Sequence, residues 1–170
     1  MPMSLSMYQA SVPAFLQMLG ALSGVLAKAE AYAAERKIEQ AVLLDSRLAP
    51  DMFPLIRQIW IAADFAKGCC ARLAGVEIPS YADDETSFAE LGARLAKTIE
   101  FVQGFRPAAI DGSEEREITL KLGGQQVTFS GQQYLVNFVL PNFYFHTTTA
   151  YAILRHAGVP LGKRDYLGTI

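Results

Sequence analysis

The sequence has only two cysteines, Cys69 and Cys70, and they are neighbours. Adjacent side chains in a helical pattern diverge, so the pair does not readily reach disulfide geometry and the chain is no disulfide scaffold. Two readings stand for them: reduced, buried small hydrophobes, or a vicinal dithiol that binds a soft metal or senses oxidants. Charge is also sparse. Asp, Glu, Lys and Arg make up 19% of the residues, the formal net charge is -2 and the pI is about 5.7. Such a chain has no broad cationic surface for neutralising phosphates, so nucleic acid is not an expected partner. The small group Arg155, Lys163 and Arg164 does not change that. Long apolar runs are missing too: the longest, Tyr134 to Phe145, is broken by Asn137, Pro141 and Asn142. It falls short of the roughly 20 residues a membrane helix needs, so no membrane association is expected. The first residues lack the positive segment and compact apolar segment of a secretory signal, which makes the cytoplasm the expected location. Solenoid-period repeats and low-complexity tracts are absent as well.

What is present is apolar surface. Residues of that class make up 51% of a 170-residue chain, enough to bury one continuous core in a single domain over 1–170. Tyr8, Val12, Phe15, Leu19, Leu22 and Leu26 recur at spacings of four and three and form one helical stripe. Pro13 either follows the true helix start, after Ser11, or bends the first turns. A short helix or turn covers Ile38 to Asp45. A second long helix is expected from an Asp51 N-cap, with Ile56, Ile59, Ala63, Ala66, Cys70 and Leu73 inward, and it stops at Gly75. After the linker Ile78 to Thr86, Ser87 and Glu90 have capping-box spacing, and Phe88, Leu91, Leu95, Ile99 and Val102 form the next stripe. From Glu117 to Leu122 the period changes to strict alternation. With Gly123, Gly124, Val127 and Phe129 this predicts a β-hairpin. Ser130 and Gln133 then cap a fourth helix to about His156, in which Pro141 implies a kink or local break. The expected class is all-α, a four-helix bundle with a small β-hairpin inserted before the last helix.

The last helix carries the most informative polar residues. With Leu135, Phe138, Thr149 and Ile153 as its core stripe, Asn142 and His146 fall on the same side one turn apart. Such a pair can ligate a metal, hold a water or bind a polar ligand, or it can be a hydrogen-bonded part of the core. Tyr144, Tyr151, Phe143 and Phe145 read as core or interface aromatics, with tyrosine hydroxyls near His146 able to line a pocket. On the second long helix Arg57, Trp60 and Asp64 flank the apolar stripe, where Arg and Asp are either solvated or paired across helices. His156 suits the exposed carbonyls of a helix end, and the run Asp83, Asp84, Glu85 reads as solvated or as cation-attracting.

The segment His146 to Gly158, followed by Val159 and Pro160, resembles the last-helix ending of DinB/YfiT-like proteins. The stretches Asn142 to His146 and Arg47 to Leu55 resemble, more narrowly, an uncharacterised branch of that superfamily. The resemblance implies a DinB-like bundle, a homodimer and, in metal-binding relatives, one histidine on the second helix with two on the fourth. His146 matches the last of these; Asn142 stands at the position one turn earlier, and the region around Trp60 and Ile61 has no histidine. A divalent metal, zinc or nickel, would therefore rest on His146 with a weak first shell, so a degraded or repurposed metal site is expected. Two functions follow from the resemblance. One is a dimeric, non-catalytic bundle with a small-molecule pocket near His146, lined by Asn142, Trp60, Asp64 and Tyr144. The other is a metal-dependent thiol transferase or isomerase with the metal at His146.

Overall fold

Serines open three of the four long helical segments. In the computed structural model, which describes residues 4–169, Ser6, Ser87 and Ser130 each accept from the backbone amide three residues on. The side chains of Gln9, Glu90 and Gln133 return to the cap amides, closing capping boxes that satisfy otherwise orphaned N–H groups. Bonds from Thr86 and Ser87 hold the Glu90 carboxyl below its ordinary range. Residues 1–3 and 170, at the two ends of the expected domain, lie outside the described residues.

The elements in chain order are α1 (Met7–Arg36), α2 (Gln40–Leu44), α3 (Leu55–Ala74), α4 (Phe88–Gln103) and α5 (Pro107–Ile110). They continue with β1 (Glu117–Leu122), β2 (Gln125–Ser130), α6 (Gly131–Gln133), a π-helical turn (Tyr134–Val139), α7 (Leu140–His156) and α8 (Lys163–Leu167). Helix α1 packs on α4, α4 on α3 and α3 on α7, and α7 closes the ring against α1. This is the expected four-helix bundle with its antiparallel hairpin ahead of the last helix. Phe15, Leu19, Leu26, Ile59, Leu95 and Phe143 fill its centre, with the rings of Phe15 and Phe143 edge to face at 5.0 Å. Helix α8 lies along α1, fixed by an ion pair of 2.6 Å between Asp165 and Lys28.

Helix α1 is long and apolar enough to cross a membrane by length and composition, with a mean hydropathy of 1.6 over its most apolar window. Half of that window is buried inside the bundle. The 12-residue run read from the sequence was thus not the only stretch to weigh, because small Gly, Ser and Ala residues extend the apolar character of α1 between its large side chains.

Several expectations are corrected. Helix α1 begins at Met7, ahead of the start after Ser11, and runs through Pro13; the carbonyl of the exposed Gln9 loses one intrahelical donor there. Asp51 does not cap α3. Pro54 disfavours helical backbone at Phe53, so the helix can only begin after the proline, and Pro54 itself is the N-cap residue. At Pro141 the helical run continues without a gap, although not as one α-helix. A π-helical turn precedes the proline, which falls in the first turn of the α-helix that follows. The acidic run is not simply solvated: Asp83 and Glu85 reach the buried Arg94 of α4 at 2.9 and 3.0 Å, which straps the linker to the bundle.

Chain crossings are tight at one further point. Gly131 is buried, and a Cβ there would run into the backbone carbonyl of Ser113, while the neighbouring Gln132 amide donates to the Glu114 carbonyl at 2.9 Å. Backbone cannot swing aside as a side chain can. Gly131→Ala is therefore expected to lower unfolding free energy by about 2–3 kcal/mol, seen as a lower urea midpoint at unchanged slope. A midpoint equal to wild type would show that the Ser113 loop yields freely.

Candidate functional site

Helix α7 turns His146 inward, leaving it 8% exposed. Its Nδ1 lies 2.7 Å from Oε1 of Gln58, a buried residue in the first turns of α3. The amide nitrogen of Gln58 donates to the Phe53 carbonyl at 3.0 Å. A carbonyl only accepts, so Gln58 presents its oxygen to the imidazole and His146 carries its proton on Nδ1. The lone pair then sits on Nε2, which has no hydrogen-bond partner among the described residues. Phe65 stacks on the imidazole at 6.0 Å and Phe145 meets it edge-on at 5.2 Å. Burial among these rings pushes the His146 pKa below its ordinary 6.5 and favours the neutral form.

The other expected pocket residues do not gather around it. Asn142 is half-buried and spends its amide N–H on the Phe138 carbonyl of its own helix, at 2.7 Å. Tyr144 is exposed and lines a shallow groove with Leu48, Met52 and Phe145. Trp60 lies toward α4, with the Arg94 guanidinium 6.0 Å from its ring and its indole N–H buried without a partner among the described residues. Asp64 pairs with Lys67 at 2.9 Å and with Arg94 at 3.3 Å. Lys67 and Arg94 are both buried, so their charges depend on this carboxylate and on those of the linker. The polar residues thus form two separate groups, one joining α3 to α7 and the other joining α3 to α4.

Neither group suits zinc or nickel. Such ions want about three firm ligands from the protein. Among the described residues no three of His, Cys, Asp or Glu converge. Asn142 can offer only a weak amide oxygen, its N–H being spent on Phe138, and Asp64 turns to Lys67 and Arg94 on the α4 side of α3. The cysteines offer no substitute: both are fully buried, and burial pushes the Cys70 thiol up to about 12 and the Cys69 thiol well above its ordinary value, holding both as thiols.

A cleft opens next to Phe65, and His146 stands one ring away without lining it. The cleft has a volume of about 390 Å³ and lies between α3, β1 and the π-helical turn. Phe65, the ring stacked on His146, is one of its walls, and Phe138, Ile61, Leu120 and Leu122 supply further apolar surface. Lys67, Arg72 and Tyr134 supply polar groups. Arg72 donates to the Tyr134 hydroxyl at 3.0 Å, and burial pushes that phenol up to about 12, so it keeps its proton.

Gln58, Arg94 and Arg72 were not singled out in the sequence, although two of them left a signal. Gln58 shares a helical face with Leu55, Ala62 and Ala66, and Arg94 falls between Leu91 and Thr98. A polar residue in phase with an apolar stripe is the mark of a buried hydrogen bond.

Comparison with known proteins agrees with this architecture. The family model described as Domain of unknown function (DUF1993) matches residues 7–167. A solved structure, that of a DinB family member protein from Shewanella denitrificans, superposes with a TM-score of 0.85 at 42% identity, covering 96% of this chain and 92% of that one. No curated protein matches the chain.

The state of His146 predicts a pH dependence. Its native pKa lies below the unfolded value of 6.5, so between the two the unfolded chain binds a proton that the native protein refuses. Stability therefore rises with pH through that window and falls as the solution is acidified. Unfolding free energy is expected to drop between about pH 7 and about pH 5, with a shallower drop in His146→Asn. Identical slopes in the two proteins would show that His146 does not carry the effect.

Proposed function

The chain belongs to the DUF1993 family and has a DinB-like fold, and on that premise we propose that it is a small-molecule-binding bundle rather than a metal-assisted transferase. The ligand occupies the cleft walled by Phe65, and His146, fixed and neutral, backs that ring without touching the cleft. One observation carries this reading. Phe65 both stacks on the imidazole and lines a cleft of small-molecule size, which combines apolar walls with a few convergent polar groups. The hydrogen bond to Gln58 holds the imidazole still, and a pre-organised wall lowers the cost of ordering a ligand against it.

The alternative, a metal-dependent thiol transferase or isomerase, needs about three firm ligands, and beside His146 this chain offers the weak amide of Asn142 with no converging set of His, Cys, Asp or Glu among the described residues. Metal analysis of protein purified without chelators separates the two readings. Substoichiometric zinc and nickel, unaltered in His146→Ala, is the expected result. One equivalent of either metal that disappears in His146→Ala would sink the binding-bundle reading.

A homodimer completes the proposal. Leu48, Phe53, Tyr144 and Phe145 are large apolar side chains exposed at or beside one groove, and Phe145 is 54% exposed although it sits on a core helix. Pairing this face between two copies would bury the patch. Light scattering at micromolar concentration is expected to give the mass of a dimer for wild type and of a monomer for Phe145→Glu. A monomeric wild type would remove the dimer from the proposal and leave the cleft untouched.

A further inference from the structure

The polar end of the cleft is rich in donors, from Lys67, Arg72, Lys121 and Tyr134. Arg72 sits in the last turn of α3, and its guanidinium is folded back along the helix over Gly68. Glycine in a helix interior is disfavoured relative to alanine. Here its missing side chain has a use: a Cβ at position 68 would lie 2.7 Å from a guanidinium nitrogen of Arg72 and would meet nothing else but that same group. The guanidinium lies 5.9 Å from the centre of the Tyr134 ring and spends one N–H on the Tyr134 hydroxyl. Its remaining N–H groups, and the phenol proton, have no acceptor among the described residues. The one carboxylate in the lining, Asp64, spends Oδ1 on Lys67 and Arg94, so its charge is set against two buried cations rather than against Arg72. Lys121, exposed on β1, adds another positive charge to the lining.

Resting on the reading of this cleft as the ligand site, we propose that its ligand is an anionic amphiphile. A carboxylate seats on the Arg72 fork and the Tyr134 hydroxyl, and an apolar body lies between Phe65, Phe138 and Leu120. The planar fork of arginine matches the two oxygens of a carboxylate, and the rings and leucine offer only apolar surface to the rest. A cationic head group would meet Arg72, Lys67 and Lys121, and a neutral one would leave the guanidinium donors poorly matched.

Octanoate, octanol and octylammonium share a chain and differ in head group, so they test the proposal as probes titrated into the ¹⁵N-labelled full chain. Octanoate is expected to saturate, with amide shifts clustered at Phe65, Gly68, Arg72, Leu120 and Phe138. Gly68→Ala, which displaces the guanidinium while favouring the helix, and Arg72→Gln are expected to weaken octanoate about tenfold or more. Octanol should change less than about twofold in the same variants. Cooperative unfolding of Gly68→Ala at or above the wild-type midpoint excludes misfolding as the cause. Octanol or octylammonium binding in the cleft as tightly as octanoate, or octanoate binding unweakened by both variants, would overturn the anionic ligand and leave the cleft as a site. Absence of cleft shifts with all three probes would overturn the site itself, and this inference with it.

Discussion

Helix α3 is buried around most of its circumference. Ala62, Ala63, Ala66, Gly68, Cys69, Cys70 and Ala71 are all enclosed, so α4 and α7 approach its backbone closely, and the polar side chains it carries have little water available. A polar group in that position must find a fixed partner or destabilise the fold. Gln58 finds His146 and the Phe53 carbonyl, Lys67 finds Asp64, and Arg72 finds Tyr134. The inward histidine, the strapped linker and the cationic end of the cleft all follow from that one enclosed helix.

The serine caps, the apolar stripes and the hairpin were legible because each depends on residues a few positions apart. Ser87 with Glu90, or Ile118 with Leu120, declare their structure locally. The inward turn of His146 was legible for the same reason. Its partner was not, because Gln58 lies 88 residues away and nothing in the spacing of either residue names the other. The same limit explains Asp83 and Glu85: their destination, Arg94, depends on how the linker folds back over α4. The start of α3 was misread for a different reason. A good capping residue, Asp51, outweighed the restriction that Pro54 places on Phe53, although backbone sterics dominate a side-chain hydrogen bond at that position.

The histidine also shows how a bundle can fix an inward polar group with its own side chains. The Phe53 carbonyl orients Gln58, Gln58 selects the Nδ1–H tautomer, and two aromatic rings hold the plane of the imidazole. The directional bonds fix the imidazole, and the half-buried Phe65 and the exposed Phe145 flank it. One turn before His146, Asn142 turns its amide N–H back onto its own helix.

The widened turn between Gln133 and Leu140 means that the last helix has two independently phased halves. Tyr134 and Phe138 are indexed from the hairpin side, whereas Phe143 and His146 are indexed from the bundle side. A π turn holds one residue more than an α turn, so it acts as a phase adjuster. Loss of one residue there would rotate the cleft wall by a step and leave the imidazole in place, which gives the sequence a way to reshape one surface without disturbing the other.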